Sequence, residues 1–141
     1  MFGSWGKHFG IFLLRVLTGA YMAFGHGFGK ITAGPDEWTK LGGAMSVLGI
    51  TFLPVVWGFL AAFSEFVCSL LVALGLFTRT ASFLLLGTMG VAALTHILGG
   101  DGWVGHGSAE LALGYAIVFL ALIFLGGGKY SIDASISPGN S

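Results

Sequence analysis

Arg15, His26, Glu65, His96 and Glu110 sit inside, or at the ends of, apolar runs each about long enough to cross a bilayer. An ionisable side chain at bilayer depth costs ~3 kcal/mol or more, and such residues usually face a partner inside a helix bundle. Three kinds of chemistry suit these residue types. A carboxylate beside imidazoles can relay protons. An arginine beside a carboxylate can fix helix register as a buried pair. Imidazole and guanidinium can also donate to the carbonyl oxygens of a small ligand such as a quinone, with a carboxylate as its proton path. Two facing histidines suit haem as well, but no attachment motif accompanies them. The cofactor is therefore left open between a quinone and none, with haem and metal not expected.

The composition explains how so few charges stand out. Hydrophobic residues make up 55% of the chain and charged residues only 9%, against roughly a quarter charged in soluble domains. A soluble unit of 141 residues could not hide that much apolar surface, whereas lipid can. Zero net charge and the lack of a basic run exclude an electrostatic case for nucleic acid. Cys68 is the single cysteine, which excludes a thiol oxidase working through its own cysteine pair. The first apolar run outlasts a typical signal core and is read as a retained helix.

Four runs, at residues 9–29, 55–77, 81–98 and 109–125, approach the ~20 residues that a ~30 Å hydrocarbon core requires. They lack the two-residue alternation of barrel strands, so helices are expected. Thr78, Arg79 and Thr80 form the expected tight turn between the second and third. Pro35, Asp36 and Glu37 make a helix start, and Trp38, Leu41, Met45 and Leu48 follow at helical spacing. The expected fold is an all-α membrane protein. It is a single up-down-up-down bundle of four transmembrane helices, with a short amphipathic helix between helices 1 and 2. Lys7, Arg79 and Lys129 on one side against Lys30 and Lys40 on the other place both termini in the cytoplasm.

In that bundle the end of helix 1 shares a face with the end of helix 3 and the start of helix 4. His26, His96, His106 and Glu110 gather there. Arg15 and Glu65 lie deeper, within ~5 Å of each other in depth at 1.5 Å per residue, and are expected to pair. Arg15, Thr18, Gly19, Met22, His26 and Gly29 form one stripe along helix 1, with Tyr21 at its edge. The stripe admits a structural reading and a functional one. Arg15–Glu65 is a register-fixing pair or a proton or ligand relay. His26 and His96 are interfacial hydrogen bonders or part of a substrate site. Glu110 is a helix-start acid or a ligand contact, and Trp38 and Trp103 are interfacial anchors.

Leu14-Arg15-Val16 through Gly19, then His26-Gly27 and Gly29-Lys30, resemble the first helix of the DoxX family. Glu65 followed by Leu74-Gly75-Leu76-Phe77-Thr78-Arg79 is similar to its second helix and turn. His96, Glu110 and the closing Gly128-Lys129-Tyr130-Ser131-Ile132-Asp133 are similar to the remainder. The resemblance implies a small multi-pass protein of a prokaryotic cytoplasmic membrane, linked to quinone-coupled thiosulfate oxidation or to thiol and oxidative-stress complexes. It marks Arg15, His26, Lys30, Glu65 and Arg79, with His96 and Glu110, as positions of the family pattern whose roles it leaves open.

Three functions compete on these grounds. The first is a redox-complex subunit holding a quinone against Arg15, Tyr21, His26, Glu65, His96, His106 or Glu110. The second is a non-catalytic anchor or assembly partner for oxidoreductase subunits. The third is a small-molecule permease, which would call for a homo-oligomer.

Overall fold

Proline and glycine punctuate this chain into helices. A computed structural model describes residues 2–139, and among these there is no strand. The chain ends, whose side of the membrane the lysine and arginine count addresses, lie outside the described residues. Helix α1 runs Gly3–Ile31. After a turn, Pro35 at the first helical position opens α2, Pro35–Gly42, which tightens into a 3-10 turn at Gly43–Leu48. Pro54 opens α3, Pro54–Leu74, followed by α4, Thr78–Leu98, α5, Glu110–Leu125, and the short α6, Ile132–Ile136.

Three of these helices, α1, α3 and α4, are long and apolar enough to cross a membrane, at 29, 21 and 21 residues. α5 is apolar too, at 16 residues. All four meet in one core of Ile11, Met22, Val72, Leu85, Met89, Phe119 and Leu122. Leu17, Phe24, Phe83, Ile117 and Phe124 point outward and are exposed, the arrangement that hydrocarbon solvent favours. The chain is an integral membrane protein in contact with the bilayer.

α1 crosses α3 at backbone contact. A side chain on Gly19 would strike Ser69 O and Ala73, and one on Gly27 would strike the Glu65 carbonyl. Without a hydrophobic force between helices in lipid, such close approach supplies the dispersion contacts that hold them. α2, the short amphipathic helix, lies on the bundle, packed along the first half of α3. Trp38 supplies the lock: its ring meets Phe59 at 5.0 Å and its Nε1 donates to Lys30 O at 2.8 Å.

The tight turn is displaced from Thr78-Arg79-Thr80 to residues 75–77. Gly75, at φ +73°, ends α3 in the left-handed conformation. The Asp133 carboxylate then accepts from Phe77 N at 2.8 Å and Thr78 N at 2.9 Å, so α4 starts three residues earlier than the apolar pattern suggests. The C-terminal segment thereby straps the α3–α4 hairpin.

Candidate ligand cleft

Two π-turns shape the site. Ala23–Gly27 in α1 and Ser64–Cys68 in α3 pack directly against each other, and they carry His26 and Glu65 respectively. A π-turn inserts a residue into the helical repeat and re-aims the side chains on it, which is why such turns recur at functional sites. Glu65 is only 3% exposed. Its carboxylate is held by Lys30, whose Nζ lies 2.8 Å from Oε1 and 2.6 Å from Oε2.

The expected Arg15–Glu65 pair does not form. Arg15 is fully buried at the other end of the core. Its Nη1 donates to Val72 O and Ala73 O, both at 3.1 Å, and its Nη2 to Tyr130 O at 2.5 Å. The guanidinium thus caps the open carbonyls at the C-terminus of α3 and ties the C-terminal strap to them, a position favoured by the helix dipole. Helix geometry explains the exchange of partners. Side chains lean toward the N-terminus of their helix, so both Arg15 and Lys30 reach back along α1. Arg15 therefore reaches away from Glu65 and Lys30 reaches down onto it.

Lys30 and Glu65 open onto a cleft of about 910 Å³. From the sequence candidates His26, His96, His106 and Glu110 also line it, and Tyr21 does not. Tyr21 stands on the outer surface of α1, 73% exposed, one step around the helix from the lining stripe. Thr18, Met22, Met89, Tyr115 and Val118 make up the inner part of the lining. The cleft is therefore amphipathic, with ionisable groups at one end and apolar walls below.

Two of these groups already have partners that shape the rim. His96 Nδ1 lies 2.9 Å from Asp101 Oδ2. Glu110 Oε2 accepts from Gly105 N at 2.7 Å, and Ser108 Oγ accepts from Glu110 N at 3.2 Å, so the loop that carries His106 is pinned to the start of α5. His26 instead packs edge-on against Tyr115, ring centroids 5.8 Å apart. This leaves the His26 and His106 rings and one side of the Lys30–Glu65 pair facing the cleft. Among the described residues no group of three His, Cys, Asp or Glu side chains is arranged to hold a metal ion.

Lys30 and Tyr115 are the site residues that the pattern of ionisable groups in apolar runs does not single out. Lys30 reads from the residues as a loop charge just beyond the first run, yet it lies four residues after His26 on the same stripe. Tyr115 is hidden in a helix that is apolar on every side.

No solved structure matches the chain. An uncharacterized protein of Haemophilus influenzae is 36% identical over 124 residues, covering 85% of this chain and 85% of that one. The DoxX family profile matches residues 10–97, a span that holds Arg15, the two facing π-turns, the Lys30–Glu65 pair and His96. The chain belongs to the DoxX family.

Proposed function

We propose that this chain is the membrane subunit of a redox system and holds a quinone headgroup in the cleft. In this reading α5 completes a set of four crossing helices in a prokaryotic cytoplasmic membrane, with both termini on the cytoplasmic side. The observation that carries it is the Lys30–Glu65 pair, buried on the Glu65 side and facing the cleft where polar rim meets apolar wall.

The residues present fit such a ligand. Ligand pockets of a few hundred to ~1,000 Å³ combine apolar walls with a few placed polar groups, and this cleft matches on both counts. When bound, a quinone supplies two-electron, two-proton chemistry at its ring oxygens. Lys30 Nζ and the His26 and His106 rings are the donors available to those oxygens. Glu65 is the carboxylate placed to hold or pass a proton beside them. Met22, Met89 and Val118 keep water from the inner wall. Electrons come from an oxidoreductase partner, since Cys68 is the chain's one cysteine and is buried.

The test is binding and turnover in lipid nanodiscs. The purified protein is titrated with a tailless quinone such as duroquinone, and partner-complex quinone reduction is then assayed. Glu65→Gln, which keeps size and removes charge, is expected to lower turnover at least tenfold, and His26→Ala to weaken binding. If the protein binds no quinone and Glu65→Gln leaves partner activity intact, the chain is an anchor rather than a ligand-binding subunit.

A further inference from the structure

The cleft lies beside a thinly packed seam between α1 and α5. α1 and α5 touch far less than the other neighbouring long helices. Beside the cleft they meet through the His26 ring against Tyr115. That contact fixes a common depth, so the residues just before each, Gly25 and Gly114, lie at nearly the same level.

Their direction follows from helix geometry. One residue is ~100° of rotation in an α-helix and somewhat less in a π-turn. α1 and α5 run in opposite directions, so one step back from His26 and one step back from Tyr115 turn toward the same side of the seam. Met22, Phe119 and Leu122 lie on the other side, in the core. Gly25 and Gly114 therefore flank the outer, lipid-facing side of the His26–Tyr115 contact. Both are exposed, and a Cβ on either would meet nothing within 4 Å. Gly114 also lines the cleft. The outer face of the seam is thus bare of side chains at the two glycines, and on its Gly114 edge it adjoins the cleft.

We propose that this bare face is the slot of a lateral portal and that the ligand is a quinone carrying an isoprenoid tail, taken from the bilayer with its tail left lying between α1 and α5. This rests on the quinone reading above and narrows it. The polar end of the cleft, toward His106 and Glu110, suits the head, and the apolar slot suits a tail that cannot leave hydrocarbon. A ligand arriving from water would need no such gap.

The experiment compares tailless duroquinone with an isoprenoid quinone, both in nanodiscs, for the native chain, Gly25→Leu, which flanks the seam without lining the cleft, and Gly87→Leu. Gly87 is likewise exposed on a lipid face with open space around it, away from the seam. Replacing an exposed helical glycine by leucine raises helix propensity, so both variants should fold, as circular dichroism would verify. Gly25→Leu is expected to weaken isoprenoid-quinone binding about tenfold while leaving duroquinone within twofold, and Gly87→Leu to change neither. Unchanged isoprenoid-quinone binding in Gly25→Leu, with duroquinone still bound, overturns the portal and leaves the headgroup site standing. Failure of the native chain to bind either quinone overturns both. A co-purifying phospholipid lost in Gly25→Leu, with no quinone bound, would reassign the slot to a structural lipid.

Discussion

Lys30, in the last turn of α1, places its ammonium against both oxygens of Glu65 at 2.8 and 2.6 Å. The lysine side chain is 34% exposed and the glutamate 4%, so one partner is partly in water and the other is not. Breaking a buried pair from one side leaves a buried charge, at ~3–5 kcal/mol. The partly wet lysine reduces that, and Lys30→Met is expected to destabilise the fold by about 1–3 kcal/mol. Lys30→Met with Glu65→Met should recover most of the loss. Reversible unfolding of the native chain, Lys30→Met, Glu65→Met and the double variant in detergent gives the coupling energy, and a double variant no better than Lys30→Met would show that the pair contributes nothing to stability.

Arg15 depends on the flat fork of its guanidinium, which reaches carbonyls on α3 and on the C-terminal strap at once. A lysine offers one point charge in place of that fork. Arg15→Lys should lose at least one of the three bonds, each about 1.5–3 kcal/mol for a charged donor. The strap should feel it first, as faster hydrogen exchange at residues 130–134. Gly75→Ala should do as much harm by another route, because its side chain would strike the same guanidinium and Ser131 while φ stays at +73°. If the strap amides exchange as in the native chain in both variants, Arg15 is not what holds the strap.

How far the residues foretold this arrangement differs by element. The long helices and their inner stripes follow from hydropathy and the 3.6-residue period, because lipid demands satisfied backbones and small residues where helices cross. The gathering of His26, His96, His106 and Glu110 follows from topology alone. The partner of Glu65 does not. Measuring depth at 1.5 Å per residue treats a side chain as a point on its Cα. Arg15 and Lys30 each reach several ångströms back toward the start of α1, enough to swap which of them meets Glu65. The π-turns at Ala23–Gly27 and Ser64–Cys68 are set by tertiary packing and leave no pattern in composition. Nor does periodicity disclose that Asp133, 55 residues away along the chain, caps α4.

That cap gives a clean test. Asp133 accepts from both Phe77 N and Thr78 N, donors that an α-helix leaves open at its start. Asp133→Ala should cost about 1–2 kcal/mol and Asp133→Asn about half of that, since the amide oxygen still accepts. Thermal melts in detergent would rank them native, Asn, Ala. Equal melting of the native and Ala forms would mean that water replaces the cap, as an interfacial site allows.

Glu110 is the acid whose role divides most sharply between helix start and site. Its carboxylate accepts from Gly105 N at 2.7 Å, fastening the loop that carries His106 over the cleft. Glu110→Ala frees that amide. At an exposed position the bond is worth about 1 kcal/mol, so exchange at Gly105 should quicken about fivefold. The helices, which do not depend on the loop, should melt within a few degrees of the native protein. Glu110→Gln keeps an acceptor and loses the charge, so it separates two causes. Near-native exchange in Gln identifies the hydrogen bond as the fastening, whereas Gln behaving like Ala identifies the carboxylate charge, acting on the first turn of α5 and the loop amide together. Bound quinone should leave faster from the Ala form in either case, because the loop then no longer holds His106 at the rim. An unchanged off-rate alongside faster loop exchange would remove His106 from the site and leave Lys30, His26 and Glu65 as its polar groups.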